Sequence, residues 1–293
     1  QFKFILCPKF KKGVSSITLK THHCFTDGLG FSTIFLCLQD KYDYSALPGI
    51  KPLPFIQSVV VTLLYPYLVL KTSVQMLLTF RSFNAIKTPV PMTGKKNGAF
   101  STDFNVDQIK AFTKKQGCSL NDYMMALLSN TIYEYLDTHK AEDGGKIPAS
   151  VNIGMPFSLR QPSKNLQDVK LVNDFITIPV TIPVAKDLDD VLPKIKKQFQ
   201  ALKTSMDPFG FLYSFTLITM LPFTLSKYAL NFISDKYHLL FTNLNASKVP
   251  YLWANKKQLG QFYYCTGIGH LNLGIAICTT GPFMSMSCYA DEK

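Results

Sequence analysis

Arginine is scarce in this chain of 293 residues. It occurs as Arg81 and Arg160 alone, although lysine and arginine together number 31. Nucleic-acid readers favour arginine, whose planar guanidinium makes paired contacts to guanine and phosphate. A net charge of +12 carried almost entirely by lysine argues against a nucleic-acid partner. It suits an anionic membrane surface or a phosphate-bearing ligand better, beside the ordinary solubilising role of surface lysines. The seven cysteines are an odd number and none stand in C-x-x-C spacing. Neither a disulfide framework nor a zinc site is indicated, and a reducing compartment is expected. No G-x-S-x-G occurs, so a serine-hydrolase route is unsupported. No signal peptide is read at the start, where the first residue is Gln1, and no fixed-period repeat runs through the chain.

Apolar residues make up 47% of the chain and aromatics 13%, enough for the core of one large domain or two modest ones. The stretch Lys20-Thr21-His22-His23-Cys24-Phe25-Thr26-Asp27-Gly28 joins two histidines to an Asp-Gly. Val14 to Thr21 before it has enough alternation for a strand; Leu29 to Leu38 after it is apolar and predicts a helix ending near Asp40. The histidines therefore stand where a strand leaves a sheet and turns into a helix. A histidine is mostly a neutral base at neutral pH. In a regular strand neighbouring side chains face opposite ways, so one of His22 and His23 is expected to serve structure and the other chemistry. Asp27 has two open roles: holding a ring nitrogen, or pairing with a distant arginine and locking the loop. Gly28 is expected to supply a positive φ or a close backbone approach.

The complete pattern HHxxxDG, here His22-His23-Cys24-Phe25-Thr26-Asp27-Gly28, resembles the signature of the CoA-dependent acyltransferase superfamily. That superfamily includes chloramphenicol acetyltransferase, the condensation domains of peptide synthetases and the bacterial-type wax ester synthase/diacylglycerol acyltransferases. The resemblance implies that His23 is the general base, that His22 supports it, and that Asp27 is structural and pairs with an arginine. Three further stretches resemble the wax synthase group. Asn121-Asp122 opens a helix, Met155-Pro156-Phe157-Ser158-Leu159-Arg160 resembles the group's Pro-x-Ser-Leu-Arg strand, and Thr242-Asn243 stands where the group has Ser-Asn-Val-Pro-Gly-Pro. The last match keeps Asn243 and loses the Pro-Gly-Pro. In that group a helix, several strands and a Pro-Leu-Trp motif precede HHxxxDG, so this chain is expected to be a fragment.

The implied fold is α/β, a chloramphenicol acetyltransferase-like two-subdomain sandwich with an incomplete N-terminal subdomain. Residues 1–90 are expected to belong to that subdomain and residues 91–293 to the C-terminal one. Leu53 to Leu70 is eighteen residues without a charge, broken by Pro66. As a helix it would be about 27 Å long, close to a bilayer core. Three readings stay open for it: a membrane-surface or re-entrant anchor, a spanning helix, or a buried helix lining an acyl channel. Further on, Phe100 to Asn105, Ser150 to Leu159, Asn173 to Val184, His238 to Asn243, Leu259 to Cys265, Gly274 to Thr279 and Phe283 to Ala290 predict strands. Pro179 and Pro183 mark the third of these as an edge or irregular strand. Val106, Ile109 and Phe112 recur at helical spacing, Asp189 to Met206 is amphipathic, and Phe209 to Ile233 suits a packed helix pair.

The function implied is O-acyl transfer without cofactor or metal. Acyl-CoA is the co-substrate, and diacylglycerol or a long-chain alcohol is the acceptor. Gly28, Asn121, Asp122 and Asn243 are the candidates for the tunnel or for oxyanion contact. Asn121 and Asp122 have helix capping as their plain structural alternative, and Arg160 is the expected partner of Asp27. The implied place is a membrane, at its cytosolic face (the endoplasmic reticulum or a lipid droplet in a eukaryote). Other superfamily acceptors, or an inactive lipid-binding protein, are the alternatives. His139, His238 and His270 are read as structural or surface residues, His270 standing on a loop near the cleft, and the cysteines as buried small hydrophobes.

Overall fold

The computed structural model describes residues 2–49, 52–140, 145–158, 160–260 and 271–292. Strands β1 (Phe2–Lys11) and β2 (Val14–Thr21) form an antiparallel hairpin, turned at Gly13, whose φ of 71° suits glycine. A 3-10 turn, His23–Phe25, leads to α1 (Gly28–Cys37). Two apolar helices follow, α2 (Phe55–Leu63) and α3 (Tyr65–Leu78), then β3 (Lys96–Phe100), β4 (Phe104–Asn105), α4 (Val106–Lys115) and α5 (Leu120–Thr138). The chain continues through β5 (Ser150–Phe157), β6 (Ile176–Pro183), α6 (Leu188–Thr204), α7 (Asp207–Thr219) and α8 (Phe223–Ser234). It closes with β7 (Leu239–Ser247), β8 (Leu252–Trp253), β9 (Lys256–Lys257), β10 (Leu273–Thr280) and β11 (Phe283–Asp291).

The main sheet runs β3-β11-β10-β7-β5-β6, with β4 also on β11. The β5–β7 and β7–β10 pairs are parallel, and the helical crossover α6–α7–α8 lies between β6 and β7 in the chain. β6 is an edge, as its two prolines require, and its alternate residues Ile176, Ile178, Val180 and Ile182 are buried. The core joins this sheet to α5 and to Val191, Ile195 and Phe199 of α6, which recur at helical spacing.

Several boundaries differ from expectation. Phe100 to Asn105 is two short strands on β11 rather than one. Phe112 is exposed, whereas Val106 is buried. Leu53 to Leu70 is not one helix. Pro66 stands in the first turn of α3, where a missing N–H costs nothing, and α2 and α3 meet at 67°. Leu68, Thr72 and Met76 of α3 are buried, and Phe55, Ile56, Leu63 and Leu70 are exposed. Among the described residues no single helix is long and apolar enough to cross a membrane; α2 and α3 meet that test by length and composition only as a bent pair. Cys7 and Cys24 are exposed rather than buried. His238 is buried, and His139 stacks on Tyr135 on an exposed face. His270, Cys265, Leu159 and most of the strand expected over 259–265 lie outside the described residues.

Candidate active site

The histidine motif is built from local geometry upward. β2 ends at Thr21, so His22 and His23 stand past the strand, and strand alternation does not separate them. His22 is the N-cap of the 3-10 turn, its Nδ1 accepting the Cys24 N–H at 3.2 Å. That is a supporting contact. His23 is the first residue of the turn and is exposed, its ring in T-shaped pairs with Phe31 and Phe175 at centroid distances of 5.9 and 5.6 Å.

Asp27 is 1% exposed and caps α1, Oδ1 accepting the Gly30 N–H at 2.9 Å. Its Oδ2 accepts Arg160 Nε at 3.0 Å and the Asp174 N–H at 3.1 Å, and Arg160 Nη2 completes a two-point ion pair on Oδ1. Four donors fill the carboxylate, which leaves it fully engaged as a clamp. The segment after β5 thereby becomes a strap. Arg160 also donates to Lys170 O, and Val172 O accepts both Thr26 Oγ1 at 3.1 Å and the Asp27 N–H at 3.2 Å.

The glycines fit closely. Gly28 has no positive φ, contrary to one of its expected uses; a Cβ there would lie 3.2 Å from Leu244 Cδ1, so close approach to β7 is its role. A Cβ on Gly30 would fall 1.7 Å from Thr26 Oγ1. Gly30, Thr26, Val172, Asp174 and Phe175 were not singled out from the sequence. The Asp-Gly-Leu-Gly run over residues 27–30 is the one local signal that pointed toward Gly30.

The remaining candidates form a second group. Ser119 caps α5 in a capping box, its Oγ accepting the Asp122 N–H at 3.2 Å while Asp122 Oδ2 accepts the Ser119 N–H at 3.0 Å. Asp122 Oδ1 is buried without a hydrogen bond, and Lys203 Nζ stands 3.7 Å away. Burial first, and then the Asp122 charge, push the nearby Cys118 thiol up. Asn243 Nδ2 donates to Asn121 Oδ1 at 3.5 Å. Consecutive strand residues leave opposite faces, and in β7 Leu244 reaches Gly28 while Asn243 turns to α5. The structure thus gathers His22, His23, Asp27, Gly28 and Arg160 at one place, and Asn121, Asp122 and Asn243 at another across β7.

This architecture defines a class, the fold shared by CoA-dependent acyltransferases and condensation domains. A wax ester synthase/diacylglycerol acyltransferase from Marinobacter aquaeolei VT8 matches with a TM-score of 0.58 at 15% identity, covering 99% of this chain and 65% of that one. The epimerization domain from the third module of tyrocidine synthetase B matches with a TM-score of 0.54 at 14% identity, over 96% of this chain and 64% of that one. A starter condensation domain of rhizomide synthetase, solved with C8-CoA and Leu-SNAC, matches with a TM-score of 0.54 at 11% identity, over 93% of this chain and 59% of that one. The chain therefore spans less than two thirds of the length of each of these structures. More narrowly, residues 173–293 match the family described as WS/DGAT C-terminal domain, in agreement with the resemblance carried by the motifs. No curated protein matches the chain.

Proposed function

We propose that the chain is part of an acyl-CoA-dependent O-acyltransferase that moves a long acyl group to diacylglycerol or a long-chain alcohol. The observation that carries this reading is His23. It is exposed on a turn that the Asp27–Arg160 clamp holds, in a chain whose residues 173–293 match the WS/DGAT C-terminal domain. The bound C8-CoA of the rhizomide synthetase domain supports acyl-CoA as the donor. In the proposed step His23 takes the acceptor's hydroxyl proton as its oxygen attacks the thioester carbonyl. The tetrahedral intermediate then collapses, the C–S bond breaks, and the CoA thiolate takes the proton back from the imidazolium. The intermediate's oxyanion needs donors aimed at it. Asn243 was the candidate, but its contact with Asn121, on the face away from Leu244, favours a structural polar pair across β7 instead. With a lipid acceptor, the proposed place of action is a membrane, at its cytosolic face (the endoplasmic reticulum or a lipid droplet in a eukaryote).

The test uses the full-length protein with acyl-CoA and labelled diacylglycerol or hexadecanol. Long acyl and acceptor chains should be preferred over short ones. His23→Ala should lower kcat by about 100-fold or more, the usual contribution of a general base. Unchanged turnover in that variant would sink the assignment, and a preference for short or amine acceptors would move it to another branch of the superfamily.

A further inference from the structure

We infer that α2, α3, α7 and α8 form one lipid-facing layer that seats in the headgroup–acyl boundary of an anionic bilayer, with the α7–α8 corner as its second insertion point beside α2. The inference deepens the reading above, which supplies the lipid substrate, but it rests on separate observations.

The first is exposure. α2 packs on α3, α3 on α7 and α7 on α8, so the four helices are contiguous. Their outward side chains, and those just past the ends of α3 and α7, are large and apolar: Phe55 is 82% exposed, Phe80 85%, Met220 77%, Phe223 81% and Tyr228 73%. An apolar surface of this kind marks an interaction site.

The second is how the helices hold together. A Cβ on Gly210 would lie 2.7 Å from Thr72 Cγ2 and 2.9 Å from Leu68 O, so α7 touches the backbone of α3. Thr72 Oγ1 and Ser214 Oγ are 2.9 Å apart, and Ser73 Oγ stands 3.2 Å from the same hydroxyl. Small residues four apart and interhelical hydroxyl bonds are the means by which helices associate in lipid, where apolar faces supply no hydrophobic drive. Lys236 Nζ donates to Met76 O at 2.9 Å and to Leu77 O, closing carbonyls at the end of α3. Such closure suits a helix end beside hydrocarbon.

The third is charge. Residues 53–80 and 208–234 contain no Asp or Glu, and their charges are Lys71 and Lys227. Tyr67 and Tyr228 are exposed on the same layer, as residues at a membrane interface are. Within the four helices Asp207, the first residue of α7, is the one acid and pairs with Lys71, so the layer carries a small positive charge from Lys227 in a chain of net charge +12, which complements anionic lipid. A second copy of the chain would bring like charge against like.

The test is flotation of the full-length protein with vesicles of phosphatidylcholine, alone or with phosphatidylglycerol. Binding to the anionic vesicles is expected, several-fold weaker without phosphatidylglycerol. Phe223→Glu/Tyr228→Glu on α8 and Phe55→Glu/Leu63→Glu on α2 should each lower the bound fraction about ten-fold with unchanged thermal melts. Trp253 is the one tryptophan of these 293 residues. In a full-length background with Trp253 and any other tryptophan replaced by phenylalanine, Phe223→Trp fluorescence should be quenched by brominated lipid. Failure to float, binding indifferent to the α8 pair, or a dimer that the same substitutions dissociate would overturn the inference. Acyl transfer is measured separately. Vesicle binding with no transfer by the wild type counts against the proposed activity alone, and transfer without vesicle binding counts against the lipid-facing layer alone.

Discussion

Asp27 and Arg160 stand 133 residues apart and meet as a two-point ion pair, with Arg160 Nε 3.0 Å from Asp27 Oδ2. The carboxylate also accepts the N–H groups of Gly30 and Asp174, so one buried side chain caps α1, holds the strap and receives the arginine. Arg160→Ala strands this carboxylate without its counter-charge. A loss of about 3–5 kcal/mol is expected in urea unfolding, the usual consequence of breaking a buried pair. Arg160→Lys should recover only part, because lysine cannot make the paired contact. A change under about 1 kcal/mol for the alanine variant would show that the clamp is dispensable.

Gly30 and Thr26 should behave as a coupled pair. Gly30→Ala forces a methyl onto Thr26 Oγ1, and a loss of about 2 kcal/mol is expected from overpacking. Thr26→Ala alone gives up its hydrogen bond to Val172 O, worth about 1 kcal/mol. The double variant should lose clearly less than the sum, because removing Thr26 Oγ1 relieves the closest contact and leaves only the Thr26 Cβ, at 2.9 Å, to shift. Strict additivity in a double-mutant cycle would contradict the contact.

Phe175 is a positioning residue on the proposed function, since its ring packs on His23 in a T-shaped pair with centroids 5.6 Å apart. Phe175→Ala should lower kcat by about ten-fold through a loosened imidazole while leaving the KM for acyl-CoA nearly unchanged. A rise in KM with kcat intact would assign the ring to substrate binding instead.

His238 predicts an acid-sensitive fold. It is buried, with Nδ1 3.2 Å from Asn152 N and Nε2 3.2 Å from Ser82 Oγ. Burial chiefly, with the Lys87 charge adding to it and the Asn152 backbone opposing, pushes its pKa down to about 4. The folded state then binds a proton less readily than the unfolded chain, whose histidine titrates near 6.5. Its stabilising contribution is complete above about pH 6.5 and is lost as pH falls toward 4, by up to about 3 kcal/mol. Urea midpoints for the wild type and His238→Gln, taken from pH 7.5 to 4.5, check this; equal slopes for the two proteins would exclude His238 as the source.

The sequence by itself determined what depends on near neighbours. Val14 to Thr21 is the strand that alternation predicts, and α6 follows its apolar spacing at Val191, Ile195 and Phe199. The turn at His22 to Gly28, the helix after it and the paired apolar helices over 209–233 were legible for the same reason, because φ/ψ preference and periodicity act within a few residues. The HHxxxDG resemblance also anticipated the fold class and the WS/DGAT match over residues 173–293.

Only the tertiary structure decided the rest. It chose the clamp for Asp27 over a hold on a histidine ring, because filling the carboxylate needs Arg160 and the Asp174 N–H from a strap far along the chain. It divided Leu53 to Leu78 at a 67° bend and left its outer face uncovered, which depends on what packs against α3. It also set Asn243 against Asn121 while Leu244 reaches Gly28, since the side of a strand that meets each helix is settled by sheet order and crossover. These relationships join residues distant in sequence, and no local propensity encodes them.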